Sequence, residues 1–354
     1  MKLIVTIDTE EDNWGSYHPT DYTVENIERI PELQRLFDDF NVKPTYLVTY
    51  SVASDEKGSA VLEKILDAGK CEIGAHCHPW NTPPFEETPG VQNSMLSNLP
   101  ADLQFRKLSV LHRTIQDRFK IDPVSFRSGR WGYNQAVARN IARLGYKIDS
   151  SITPYMDWGC YDGPDFSTVS PRPYRFSDDN IFREEEHGPL LEVPATVGYF
   201  QDDFEACNRL LMKIRRKPLA LLKIEGILSR LRLLNKVWLS PEFSDAKSMI
   251  KLTERLMKKQ YPVINLFFHS PTLKRGLTSF VQTEGDEKRF LARIREFLIF
   301  ARDFGIESIK LSDSLGIFHP NGPLPAPFSK PLFQEALPEQ GTGVSSSFNE
   351  KGRI

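Results

Sequence analysis

Apolar positions along this chain follow two alternating rhythms. Short apolar runs of strand-like composition fall at 3–7, 44–49, 71–75, 124–126, 146–148, 190–194, 263–268 and 308–311. Most are separated by stretches with apolar residues at helical spacing, namely 24–40, 59–69, 101–118, 134–144, 243–260 and 287–304. Strands alternating with helices predict an α/β fold, a parallel sheet with crossover connections. Eight candidate strands fit an eight-stave barrel, and they fit a seven-stranded, incompletely closed barrel equally well.

The polar chemistry follows the strands. Asp8 and Glu10 come after the first run and His76 and His78 after the third. Arg127 follows the fourth, Asp149 the fifth, and His269 a later one. A (β/α) barrel assembles its active site at the C-terminal ends of its strands, so this distribution predicts a site there. Residues at i and i+2 point the same way from an extended backbone, so His76 and His78 can reach one ion while Cys77 points away. Two imidazoles and a carboxylate fill three corners of a divalent metal site and leave a position for water. Glu10 is the expected carboxylate, with Asp12 as its alternative. Two histidines one residue apart are more often incidental than ligands; the strand-end acids are what give this pair weight.

Composition narrows the class. The 354 residues are 40% hydrophobic and 26% charged, ordinary for a soluble protein large enough for one barrel domain. A net charge of −2 carries no overall footprint for nucleic acid. The first apolar run is too short for a signal-peptide core, and no run reaches the ~18 apolar residues of a membrane span. Cysteines 71, 77, 160 and 207 form no C-x-x-C pair, so a cytoplasmic, reduced protein is expected.

Two segments depart from the alternation. Between Arg209 and Lys236 nine basic residues face the single acid Glu225, with leucines and isoleucines interleaved. This reads as a basic amphipathic excursion over 205–240. Its Lys and Arg stems either cover the barrel or bind an anionic surface at the inner membrane face. Residues 320–354, rich in Pro, Gly and Ser, read as a mobile tail beyond a single barrel domain spanning 1–319.

Five motifs stand in order: Thr6-Ile7-Asp8-Thr9-Glu10-Glu11-Asp12, Ile73-Gly74-Ala75-His76-Cys77-His78-Pro79-Trp80, Phe126-Arg127-Ser128-Gly129-Arg130-Trp131-Gly132, Asp149-Ser150-Ser151 and Phe268-His269-Ser270-Pro271. In them the chain resembles the polysaccharide deacetylases of the NodB-homology group (carbohydrate esterase family 4). It is most similar to their WalW-like branch, linked to lipopolysaccharide biosynthesis. The resemblance implies a distorted (β/α)7 barrel and a metal-dependent hydrolase. Such an enzyme removes an acetyl group from an N- or O-acetylated sugar or glycan precursor, with a metal-activated water as nucleophile.

Carried onto this chain, the resemblance implies Glu10, His76 and His78 as ligands of Zn²⁺, a set that also suits Co²⁺, Ni²⁺ or Fe²⁺. Asp8 would be the general base, Arg127 its orienting partner and His269 the general acid, with Asp149 holding His269 as a cation. Trp131 and Trp80 would stack on a sugar ring; Tyr46 and Asn81 would bind hydroxyls. The pattern departs from the family twice. Asp8-Thr9-Glu10 replaces a usual Asp-Asp, and Trp80 stands where the second of two histidines four apart is expected. Two further readings follow: a hydrolase of another small C–N amide on the same barrel, and a non-catalytic carbohydrate-binding barrel.

Overall fold

Side chains alternate along the first strand, β1 (Lys2–Thr9). Leu3, Val5 and Ile7 join the apolar layer beneath the helices, whereas Ile4 belongs to a separate interior cluster and Thr6 and Asp8 follow it inward. This period of two organises the whole molecule. A computed structural model of the protein describes residues 1–319 other than 13–14, 18, 20–21, 216–227, 229 and 231–232.

Seven strands run parallel in the order β10 (Val263–His269), β1, β2 (Thr45–Val48), β3 (Glu72–Cys77), β4 (Ser125–Ser128), β5 (Ile148–Asp149) and β7 (Leu190–Glu192). β6 (Tyr174–Phe176) adds to β7 antiparallel at the sheet edge. The gap between β7 and β10 is crossed by backbone from the flanks of a hairpin, β8 (Val197–Tyr199) and β9 (Lys236–Trp238). Thr196 N–H donates to the Asn265 carbonyl at 3.3 Å, Leu239 N–H to that of Thr196 at 2.8 Å, and Phe267 N–H to that of Leu239 at 3.1 Å. The sheet therefore curls into the distorted seven-stranded barrel. β11 (Glu307–Ile309) pairs only with Lys2–Ile4 of β1, so the eighth apolar run is a partial stave.

The helical layer follows the 3.6-residue pattern, with sharper boundaries. The stretch 24–40 divides into a 3-10 turn (Glu25–Arg29) and α1 (Ile30–Asp39), because Pro31 sits in the first turn, where a missing N–H costs nothing. Next come α2 (Tyr50–Ser54), α3 (Glu56–Asp67), α4 (Ala101–Phe119), α5 (Gln135–Arg143) and α6 (Phe204–Arg215). The chain continues with α7 (Ala246–Lys258), α8 (Glu284–Asp303) and α9 (Ser314–Ile317). Asp55, Asn134 and Asp245 cap α3, α5 and α7 by accepting from backbone N–H groups, and Thr283 with Asp286 forms a capping box on α8.

The barrel interior is layered. Ile4, Ile148, Leu191, Val193, Val263 and Leu311 plug the bottom. Thr6, Arg127, Ser150 and Asn265 form a hydrogen-bonded layer above them. The ionisable groups of β1, β3 and β10 crown it. Of the basic stretch, Arg209, Lys213 and Arg215 lie on α6, whose Phe204, Leu211 and Ile214 bury. Residues 216–227 and the tail from 320 lie outside the described residues. Among the described residues no helix is long and apolar enough to cross a membrane.

Candidate metal centre

Glu10, His76 and His78 converge at the top of the barrel, one ligand atom from each lying within 4.8 Å of the others, all three buried. Glu10 Oε2 lies 3.5 Å from His76 Nε2 and 3.2 Å from His78 Nε2. Ligands at ~2.0–2.1 Å from a tetrahedral ion are about 3.3 Å apart, so Glu10 stands from each imidazole at the spacing such an ion requires. The other ring nitrogens are already engaged. His76 Nδ1 donates to the Arg127 carbonyl at 3.1 Å and His78 Nδ1 to Glu11 Oε1 at 2.8 Å. Both acceptors take an Nδ1 proton and so turn each Nε2 towards Glu10, as the atom that would bind a cation. The donor set fits a divalent transition metal.

Asp12, the alternative ligand, is used elsewhere. It accepts from Thr23 Oγ1 at 2.6 Å, Glu25 N–H at 2.7 Å, Asn26 N–H at 3.0 Å and Asn26 Nδ2 at 2.7 Å, clasping the loop before α1.

Asp8 lies beside the triad. Its Oδ2 is 3.9 Å from His76 Nε2 and 3.6 Å from His269 Nε2, and its Oδ1 accepts from Arg127 Nη1 at 2.6 Å. Arg127, fully buried, also donates to Thr6 Oγ1, Ser150 Oγ and the Ser150 carbonyl, each at 2.8 Å. Burial works to raise the Asp8 carboxyl, but the charges of Arg127, His76 and His269 outweigh it and hold Asp8 below the usual carboxylate range. Asp8 is therefore an anion with one oxygen tied and the other facing the site.

His269 carries the opposite bias. Burial alone would lower it, but Glu242 foremost, with Glu10 and Asp8, brings it to about 9. Glu242 Oε2 accepts from His269 Nδ1 at 2.9 Å, and its Oε1 takes the His269 N–H and the Thr272 hydroxyl. This corrects the role expected of Asp149. Asp149 accepts from the Ser151 hydroxyl at 2.6 Å and lies against Glu192, both on the outward face of the sheet. Ser150, not Asp149, is the inward residue of that strand end.

The expected sugar-binding residues separate. Tyr46 points outward from β2 and donates to Gln34 Oε1 on α1 at 2.9 Å, so it cannot reach a substrate in the barrel mouth. Asn81 is buried and donates to Glu11 and Ser51. Trp80 stacks on His78, with centroids 4.0 Å apart, and donates to Glu11 at 3.1 Å. Trp131 remains beside the candidate site, its ring 5.2 Å from the Arg127 guanidinium carbon. Arg130 lies over the rings of Tyr17 and Tyr161. Arg130 and Trp131 both hold positive φ, at 52° and 59°, a strained turn immediately after β4. Gly129 just before them is required by contact: a Cβ there would sit 2.3 Å from His78 Cδ2 and 2.6 Å from the Cys77 carbonyl oxygen.

Glu11 and Glu242 are the residues of the candidate site that sequence reasoning missed. Nothing in the sequence sets Glu11 apart from the acids on either side of it. Glu242 follows the short apolar run Val237-Trp238-Leu239, and the strand-end rule applied there would have flagged it.

No protein-family model and no curated protein matches the chain by sequence. Solved structures do match it. A protein from Parabacteroides distasonis, provisionally assigned as a glycoside hydrolase/deacetylase, aligns with TM-score 0.55 at 12% identity over 87% of this chain and 68% of its own. The fold is that of the deacetylase barrels. A polysaccharide deacetylase, also a provisional assignment, from Mycobacterium smegmatis gives TM-score 0.47 and 16% identity over 85% and 84% of the two chains. The 4-alpha-glucanotransferase of Thermococcus litoralis gives 0.50 and 12% over 91% of this chain and 41% of its own. The Parabacteroides and Thermococcus proteins carry different named activities, so the fold alone does not select the chemistry.

Proposed function

We propose that this chain is a metal-dependent hydrolase that removes an acetyl group from an N- or O-acetylated sugar or glycan precursor. One observation carries the reading. Asp8 stands with its second carboxylate oxygen between a ligand-competent His/His/Glu triad and a cationic histidine, 3.9 Å from His76 and 3.6 Å from His269. A binding barrel has no need of a base, its orienter and an acid around one open position, which favours catalysis over simple sugar recognition.

A divalent ion held by Glu10, His76 and His78 would polarise the acetyl carbonyl and bring the pKa of a water towards about 7. Asp8, kept ionised by Arg127, takes the proton of the attacking water. Arg127 fixes the direction of that transfer by tying Oδ1 and leaving Oδ2 towards the site. His269, held protonated by Glu242, delivers a proton to the leaving amine or alkoxide. Trp131 supports the wall from which the acyl group is approached. Zinc is the metal we favour, on the N₂O donor set. Residues 1–319 form the catalytic unit in this reading, and its WalW-like, lipopolysaccharide-linked assignment rests on the five sequence motifs.

Acetate release from acetylated sugars, nucleotide sugars and glycolipids tests this, using metal-stripped protein with and without added Zn²⁺ or Co²⁺. Release that depends on the metal is the expected result. Stoichiometric metal without release from any acceptor would shift the reading to another C–N amide. Neither metal nor release would remove the catalytic reading.

A further inference from the structure

We propose that Glu11 is a positioning residue that makes His78 a metal ligand, compensating for the absence of a second histidine at position 80. The inference rests on the metal-hydrolase reading and deepens it. Glu11 is buried, and its two oxygens take four donors. His78 Nδ1 at 2.8 Å and Trp80 Nε1 at 3.1 Å share Oε1; Asn81 Nδ2 at 2.7 Å and the Ser51 hydroxyl at 3.0 Å share Oε2.

A loop acid left over from a solvated run does not collect donors from two separate segments. The arrangement forms a clamp. An ionised carboxylate only accepts, so His78 gives Glu11 its Nδ1 proton, and the Nε2 side, turned towards Glu10, is the one left to bind an ion. Trp80 covers one face of the imidazole with its rings 23° from parallel, and Gly129 leaves room for the ring, since a Cβ there would sit 2.3 Å from His78 Cδ2. The two imidazoles thus differ in kind: His76 leans on a neutral carbonyl, His78 on a full negative charge. A carboxylate behind an imidazole raises its basicity and fixes its orientation, and loss of such a partner typically costs 10–100-fold in metal affinity. Trp80 thereby still serves the site, through Glu11.

The test is equilibrium metal binding by the full chain. Metal-stripped wild type and Glu11→Gln are titrated with Zn²⁺ against a chromophoric chelator, with far-UV circular dichroism and urea unfolding of both apo proteins alongside. Glutamine keeps the shape and removes the charge. We expect a folded variant with unchanged stoichiometry and Zn²⁺ affinity lower by about 10–100-fold. A folded variant whose affinity stays within about twofold of wild type overturns the proposal, because the carboxylate is then dispensable to the ligand. Should Glu11→Gln fail to fold, Trp80→Phe decides: it retains the stack and deletes only the N–H given to Glu11. A fall of a few-fold supports the clamp, and unchanged affinity rejects it. Wild type that binds no Zn²⁺ rejects both the clamp and the metal reading. Wild type that binds while Glu11→Gln binds equally rejects the clamp alone.

Discussion

Two clusters of buried acids occupy different strand ends of this barrel, one after β1 and one on β5 and β7, and have opposite characters. Inside the mouth, Asp8, Glu10 and Glu11 are met by Arg127, three imidazoles and a set of neutral donors. On the outer face, Asp149 and Glu192 sit opposite one another on β5 and β7, beneath Tyr133 and Tyr174, with Arg127 aimed away from them at Asp8. Burial pushes both outer carboxyls up, Glu192 well above its ordinary value, whereas the inner Asp8 and Glu10 are held below theirs. Strand parity decides which side an acid faces, and its partners then decide whether it keeps a proton. The inner cluster is the one that can hold a cation and exchange protons with a ligand; the outer one lies between the sheet and its covering side chains.

The contrast breaks most decisively at Asp8. Asp8→Asn retains the hydrogen-bonding shape but removes the base, so kcat for acetate release should fall by about 10²–10⁴. Bound metal measured by mass spectrometry should stay at the wild-type stoichiometry. Asp149→Asn in the same assay should stay near wild type, since its carboxyl faces the helices. Equal losses in the two variants would mean that parity does not separate the clusters.

Glu242 sharpens the contrast on the side of the acid. The folded-state pKa of His269 is raised to about 9 from an ordinary value near 6.5. Its contribution to stability is therefore fully present below about 6.5 and is lost as pH rises through about 9. Glu242→Gln removes the largest source of that rise, so in metal-stripped protein the His269 proton resonances should titrate at least about one pH unit lower. The stability advantage of wild type over this variant should shrink across the same window. An unmoved titration would show that Glu242 only orients the ring.

Much of this was legible in the sequence, for one physical reason: strand ends carry the chemistry of a barrel. All eight apolar runs became strands, and Asp8, Glu10, His76, His78, Arg127 and His269 all reach the mouth. Asp149 and Tyr46 were misplaced because strand-end position was read without parity. Ile148 and Ser150 point inward, so Asp149 cannot; Thr45 points to the Glu72 carboxylate within the barrel base, so Tyr46 faces α1. β6, β8 and β9 escaped notice because three-residue antiparallel strands leave too short an alternation to detect. The partners of His78 and His269 escaped because a carboxylate that orients an imidazole needs no fixed spacing from it.

The smallest expected effect concerns the outer pair and reverses the usual direction. Glu192 Oε2 finds no hydrogen-bond donor among the described residues when both carboxyls are ionised, while its Oε1 accepts from Ile152 N–H. A proton shared between Glu192 and Asp149 removes that deficit, and burial favours it. An acid whose folded pKa is raised binds its proton more tightly native than unfolded. The resulting stability is complete below the unfolded value of about 4.3 and declines as pH climbs towards the raised value. Glu192→Gln keeps the shape, donates permanently to Asp149 and has nothing to titrate. Relative to wild type it should gain about 1 kcal/mol or more between pH 5 and pH 9, since each tenfold difference in proton affinity between the folded and unfolded chain is worth about 1.4 kcal/mol. Urea midpoints at the two pH values read the difference, and activity at a fixed pH should not follow it. A variant that loses stability more steeply than wild type as pH rises would show that the pair is held by two negative charges and an undetected cation. A shared proton requires the opposite slope.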